Sequence, residues 1–83
     1  MSKQYTVFLY TRRDCELCET ARAVIEPVLV SAAGWQLQLV DIEQDTELTE
    51  RYGWHIPVLQ RADNGAELFW PFPASRVRAL LDG

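Results

Sequence analysis

A short apolar segment, Gln4 to Tyr10, runs directly into Thr11-Arg12-Arg13-Asp14-Cys15-Glu16-Leu17-Cys18, and a long amphipathic stretch follows without a break. The segment is rich in β-branched and aromatic residues (Tyr5, Thr6, Val7, Phe8, Tyr10) and almost continuously apolar, as a strand covered on both faces must be. It therefore reads as a central strand. From Glu16 to about Ala33, Leu17, Ala21, Val24 and Val28 recur at helical spacing, with Glu16, Glu19, Arg22 and Glu26 on the other faces. Pro27 removes one bond inside that helix and is expected to bend it or end it early, and Gly34 closes it.

Gln36 to Ile42 reads as a second strand, parallel to the first because a right-handed crossover joins them. Asp45 or Thr46 caps a short helix that runs to Tyr52 and stops at Gly53. Pro57 to Arg61 and Glu67 to Trp70 flank Asp63-Asn64-Gly65, whose Asn-Gly step signals an antiparallel hairpin. Pro71 and Pro73 break the last strand, and Ser75 to Leu81 forms a final helix with Val77, Leu80 and Leu81 on one side. There is no repeat, linker or low-complexity segment.

The only two cysteines stand three residues apart at the start of the first helix. Residues i and i+3 of a helix have Cα atoms about 5 to 6 Å apart, a span a disulfide can bridge. Cys15 then lies at the helix N-terminus, where free N–H groups and the macrodipole favour the thiolate, the attacking form. Cys18, one turn in, lacks that help, so Cys15 is the nucleophile and Cys18 the resolving thiol. A structural disulfide closing so short a loop removes little chain entropy. A zinc site needs three or four ligands, and one His is available beyond this pair. Redox use is the reading that fits C-x-x-C after a strand in a βαβ pattern.

Eighty-three residues, 48% of them hydrophobic, make a single domain, residues 1–83, with one modest core. A formal charge of -4 without a basic stripe argues against nucleic acid. No amino-terminal stretch is long enough to cross a membrane or serve as a signal peptide, so a reducing cytoplasm and a monomer are expected.

The order β-α-β-α-β-β-α, with C-x-x-C after the first strand and Pro57 opening the third, resembles the thioredoxin fold in its minimal, glutaredoxin form. The resemblance covers essentially the whole chain. It implies an α/β fold with a four-stranded mixed sheet in order 2-1-3-4, three helices, and a cis peptide bond before Pro57. It implies that Cys15 and Cys18 are the active-site cysteines, and that Arg12 stands where glutaredoxins carry a lysine for the glycyl carboxylate of glutathione. Ile56-Pro57, with Val58, matches the extended edge that pairs with a bound glutathione or a protein substrate. Glu16-Leu17 departs from the usual Pro-aromatic pair, setting a carboxylate beside the nucleophile with Asp14 and Glu19 near. The Gly-Gly and Asp that hold the γ-glutamyl group are missing after Phe69, where Trp70-Pro71-Phe72-Pro73 stands. The sequence looks most like the divergent bacterial glutaredoxin-like proteins.

Three further residues are auxiliary candidates. His55 is expected beside the dithiol, where it could take a proton, or else on a solvent-facing loop. Trp70 and Phe72, removed from regular structure by their prolines, are expected to be partly exposed and, with Trp54, to form an apolar rim. Trp35 reads as a cap on the core. The function these residues point to is thiol-disulfide exchange on protein rather than glutathione disulfides. It needs no metal or nucleotide cofactor; electrons come from glutathione or a thioredoxin-type reductase. The competing readings are a binding or redox-sensing module on the same scaffold and an iron-sulfur carrier that uses Cys15 across a dimer.

Overall fold

The computed structural model describes residues 4–83, so the first three residues of the expected domain lie outside it. The element order is β1 (Tyr5–Thr11), α1 (Glu16–Ser31), β2 (Trp35–Asp41), a 3-10 turn at Ile42–Gln44, α2 (Thr46–Tyr52), β3 (Val58–Arg61), β4 (Glu67–Phe69) and α3 (Ala74–Asp82). The sheet order is β2-β1-β3-β4. β1 pairs parallel with β2 and antiparallel with β3, and β4 runs antiparallel to β3. This is the α/β architecture that the resemblance implies.

Strand alternation divides the apolar residues between two faces. Val7 and Leu9 of β1 and Leu59 of β3 meet Ala21, Ile25 and Val28 of α1 and Val77 and Leu81 of α3. Tyr10 and Val58 point to the opposite face, where they pack with Ile42 and with Tyr52 of α2. α1 and α3 thus cover one side and α2 the other, which is why β1 tolerates almost no polar side chain.

The buried stripe of α1 is Cys18, Ala21, Ile25 and Val28, a correction to the stripe read through Leu17 and Val24. Leu17 is 53% exposed. Cysteine packs as a small hydrophobe, so Cys18 takes the core position and turns Leu17 outward. α1 continues through Pro27 and stops at Ser31, short of Ala33. Pro27 and Ala23 are both exposed, so the Ala23 carbonyl that loses its N–H partner faces solvent at small cost. β2 begins one residue earlier than expected, at Trp35, which places that side chain in the sheet. Its ring packs on Tyr5 at 5.0 Å and lies 4.9 Å beneath the Arg61 guanidinium. Arg61 is buried; its guanidinium donates to the Asp63 carboxylate and to the carbonyls of Leu80 and Gly83, tying the hairpin to the end of α3. The hairpin turns at Gly65, whose φ of 76° lies in the left-handed region that glycine adopts without strain.

Asp45 caps α2 by accepting from the N–H groups of Glu47 and Leu48 at 2.9 and 3.2 Å. At the other end of α2, the Tyr52 ring stacks on Tyr10 at 4.4 Å and its hydroxyl donates to the Glu67 carboxylate on β4. Tyr10 donates to Gln60 at 2.6 Å on the same face. Burial and the Glu67 carboxylate push the Tyr52 phenol up to about 12 and raise that of Tyr10 as well. The folded pKa of Tyr52 exceeds the unfolded value of about 10, so its stabilising contribution is complete below pH 10 and is lost as the pH rises through 12. Chemical denaturation across that window is expected to show stability falling with pH, with a shallower fall in Tyr52→Phe.

Candidate functional site

The C-terminal end of β1 delivers the chain to a turn, Arg12-Arg13-Asp14, and then to α1. Asp14 has φ 54°, the left-handed conformation that Asp accepts better than most residues. That turn sets Cys15 as the N-cap of α1, with φ -103° and ψ 103°, and its Sγ accepts the backbone N–H of Cys18 at 3.2 Å. A cap residue normally does this with an oxygen; here the sulfur does it. The two cysteines form a disulfide with Cα atoms 5.2 Å apart. Cys15 is half-buried and Cys18 only 2% exposed. The pair is thus asymmetric in exposure and in contact with the helix terminus.

The charges around Cys15 are also divided. On the α1 side, Asp14, Glu16 and Glu19 edge one shallow hollow that reaches Cys15. Glu19 faces Arg22 at 3.6 Å, and Arg22 in turn pairs with Glu26 at 3.0 Å, so part of this acidic charge is offset along the helix. On the other side, a second hollow of about 500 Å³ is lined by Arg12, Cys15, Leu17, Trp54 and Ile56, among others. Arg12 and Arg13 are exposed, and neither has an ion-pair or hydrogen-bond partner among the described residues.

The loop from α2 to β3 forms the far wall of that hollow. The N–H groups of His55 and Ile56 both donate to the Tyr52 carbonyl, at 2.8 and 3.0 Å, folding Gly53 to Pro57 back over the helix end. The Ile56-Pro57 bond is cis, as is Trp70-Pro71. Pro57 is buried, and its carbonyl accepts the N–H of Trp70 at 3.2 Å. Val58 is fully buried between β1 and β4. Of the three residues of the expected docking edge, Ile56 alone keeps surface at the hollow.

Of the auxiliary residues, Phe72 is placed differently from expectation, Trp70 is partly exposed, and His55 takes the solvent-facing position. Phe72 is 4% exposed and belongs to the core under α1 and α3, so it is no part of a rim. The prolines on either side end the strand, and the aromatic ring between them turns inward to fill the space beside Val77. Trp70 is half-buried against the same core and meets Phe72 edge-on at 5.1 Å. His55 is exposed and stacks on Phe69 at 5.3 Å; it does not line the hollow that contains Cys15. Trp54, at 96% exposure, and Leu17 are the apolar side chains that stand free near the dithiol. Leu17 reads as a core position from helical spacing, and the signal for its exposure is the neighbouring Cys18, which takes that core position instead.

Residues 6–82 match the Glutaredoxin-like domain family (DUF836). The chain belongs to that family. XcR50 from X. campestris is 41% identical, and its X-ray structure aligns with a TM-score of 0.77 over 92% of this chain and 95% of its own. The solution structure of the same protein aligns with a TM-score of 0.71 over 92% and 91%. Ne2328 from Nitrosomonas europaea is 25% identical, with a TM-score of 0.76 over 95% of this chain and 93% of its own. No curated protein matches the chain.

In this glutaredoxin-like domain the position of the α2–β3 loop depends on Gly53. A Cβ built there would lie 2.5 Å from the Thr49 backbone carbonyl oxygen, which can yield only if the helix end moves. Gly53→Ala is therefore expected to destabilise the fold by about 1–3 kcal/mol and to shift the amide resonances of Trp54 to Ile56. Urea denaturation and a two-dimensional amide NMR spectrum check both.

Proposed function

We infer that this protein is a small thiol-disulfide oxidoreductase that reduces disulfides of proteins. The observation that carries the reading is Cys15 at the N-cap of α1, accessible and accepting a backbone N–H on sulfur, one helical turn from buried Cys18. In the reduced protein the same N–H and the helix terminus favour the Cys15 thiolate. That thiolate attacks one sulfur of a substrate disulfide, forming a mixed disulfide and expelling the other sulfur as a thiolate that takes a proton from water. Cys18, deprotonated, then attacks Cys15 Sγ, the mixed disulfide breaks, and the second substrate sulfur leaves and is protonated. The substrate gains two electrons and two protons, and the protein is left with the Cys15–Cys18 disulfide. An external thiol donor, glutathione or a reductase of the thioredoxin type, returns it to the dithiol, as a reducing cytoplasm would allow.

The preference for protein over glutathione disulfides has its own support. A glutathione γ-glutamyl carboxylate needs closely approached N–H donors at a helix N-terminus. Here α3 is preceded by Pro71-Phe72-Pro73, two residues of which have no N–H, and Pro73 as N-cap offers no side-chain bond. Losing one or two such charge-assisted bonds costs about 1.5–3 kcal/mol each. The Ile56 N–H is already taken by Tyr52, which leaves that residue its carbonyl for an extended ligand.

Cys15→Ser is expected to abolish disulfide exchange, whereas Cys18→Ser still attacks and accumulates the mixed disulfide, seen by mass spectrometry as an adduct at Cys15. If Cys18 reacts first with an alkylating agent, the roles are reversed. On one preparation, reduction of a protein disulfide is expected to outpace reduction of a glutathione mixed disulfide. Equal or faster turnover of the glutathione substrate removes the stated preference and leaves the exchange chemistry standing.

A further inference from the structure

The two edges of the sheet are defended unequally. β4 forms one edge; it is three residues long, opens on Glu67 and ends two residues before Pro71. Short length, a charge and a nearby proline are the devices that keep an edge from pairing with another chain. β2 forms the other edge and has none of them. Its seven residues hold no proline, no glycine and no charge before the last position, Asp41. They pair with β1 in unbroken register, and no hydrogen bond among the described residues reaches the outer backbone groups of Gln36 to Val40. The side chains add to this open row. Leu39 is 47% exposed although its β1 neighbour, Leu9, is fully buried. On the other face Gln38 is exposed, and its amide has no partner among the described residues.

Read outward from Gln38, the strand matches itself: Leu37 answers Leu39, Gln36 answers Val40, and Trp35 answers Asp41. We propose that β2 is the interface at which two copies of this chain pair antiparallel, about a two-fold axis at Gln38, to give an eight-stranded sheet. Residues directly opposite in such a pair share a face, so each exposed Leu39 is covered by Leu37 of the second copy. The two Gln38 side chains meet on the axis, where each amide can donate to the other and accept from it. Asp41 lies opposite Trp35 of the second copy, at the end where the Arg61 guanidinium stands over that ring. The two Asp41 carboxylates are then six residues apart along the strands, about 20 Å. A parallel pairing in register would set them side by side, which like charges oppose. Because β1 runs parallel to β2, the antiparallel pair sends the two dithiols to opposite ends of the sheet, each open to its own substrate. This arrangement is distinct from a dimer joined across Cys15, and it makes the expected monomer one half of a weak pair.

The test uses the full chain under a reducing agent, so that no intermolecular disulfide is counted. Sedimentation from about 10 μM to about 1 mM, the range suited to so small an interface, is expected to show monomer passing into dimer. Over the same range, amide hydrogen exchange is expected to slow at alternate residues of β2, those whose N–H groups face outward. Gln38→Lys puts like charges on the axis and is expected to weaken pairing about tenfold, as is Gln38→Glu. Gln38 is exposed, so both variants are expected to keep the fold, which their amide spectra check. An equimolar mixture of the two is expected to pair again, since opposite charges then meet on the axis. A chain that stays monomeric at the highest concentration overturns the proposal and leaves the β2 edge to a strand of another protein. A dimer that Gln38→Lys leaves intact, or a mixture that fails to pair, overturns it as well. Should either variant fail to fold, the exchange pattern of the unaltered chain decides, and slowing that falls outside β2 rejects the interface.

Discussion

Every candidate functional residue depends on β1 being held rigidly from four sides. Its backbone is hydrogen-bonded to β2 along one edge and to β3 along the other, and its side chains are buried alternately under α1 with α3 and under α2. A strand so constrained cannot slip by one residue without moving Val7 and Leu9 to the tyrosine face and Phe8 and Tyr10 into the aliphatic one. Its last residue, Thr11, is therefore fixed in space, and four residues later so is Cys15. The neighbouring strand β3 runs antiparallel, so its first residues lie at the same end of the sheet. That is how Ile56, far away in sequence, comes to share a hollow with Cys15.

The two cysteines differ because one belongs to the turn and the other to the core. Cys18 occupies the first buried position of α1, in line with Ala21 and Ile25, and is shielded from solvent while bonded to Cys15. Cys15 stands outside the helix proper, with its sulfur in the place of a capping oxygen. In the proposed reading, an external disulfide reaches the half-buried Cys15, and the buried Cys18 is confined to an intramolecular attack. The same geometry that stabilises the start of the helix thus sorts the thiols by the partner each can reach.

The element order and most of their bounds could be read from local signals, because each has a short-range cause. Asp45, Gly53, Asn64-Gly65 and the prolines act through their own backbone conformations. The positions that resisted reading are those decided by distant contacts. Arg61 reads as one more strand residue, and its burial follows from carbonyls at the end of α3 that approach only in the folded chain. Phe72 lies between two prolines, a context that locally favours exposure, yet the space beside Val77 draws it inward. The α1 stripe is shifted because Cys18, whose spacing points to chemistry, also fills a core position, burial and accessibility belonging to different sulfurs of the pair. Among the site residues, Arg12, Cys15 and Ile56 line one hollow, and Cys18 is bonded to Cys15 from the core side. His55 was separated from that hollow by a stacking contact with Phe69 that no sequence spacing announces.

The loop that carries Trp54 is braced rather than free. Tyr52 accepts two of its N–H groups on one carbonyl, and the same residue's hydroxyl is tied to Glu67 of β4 while its ring lies on Tyr10 of β1. A single residue thereby links the strand that leads to Cys15, the outer hairpin and the loop opposite the dithiol. The exposed indole of Trp54 thus stands on an anchored backbone, with its side chain free and the chain beneath it fixed. The cost is that the bracing hydrogen bond uses a carboxylate, Glu67, whose charge also raises both phenols. Because those phenols stay protonated far above neutral pH, the brace is insensitive to pH over the range in which thiols ionise. The loop opposite the dithiol is therefore held in the same way across that range.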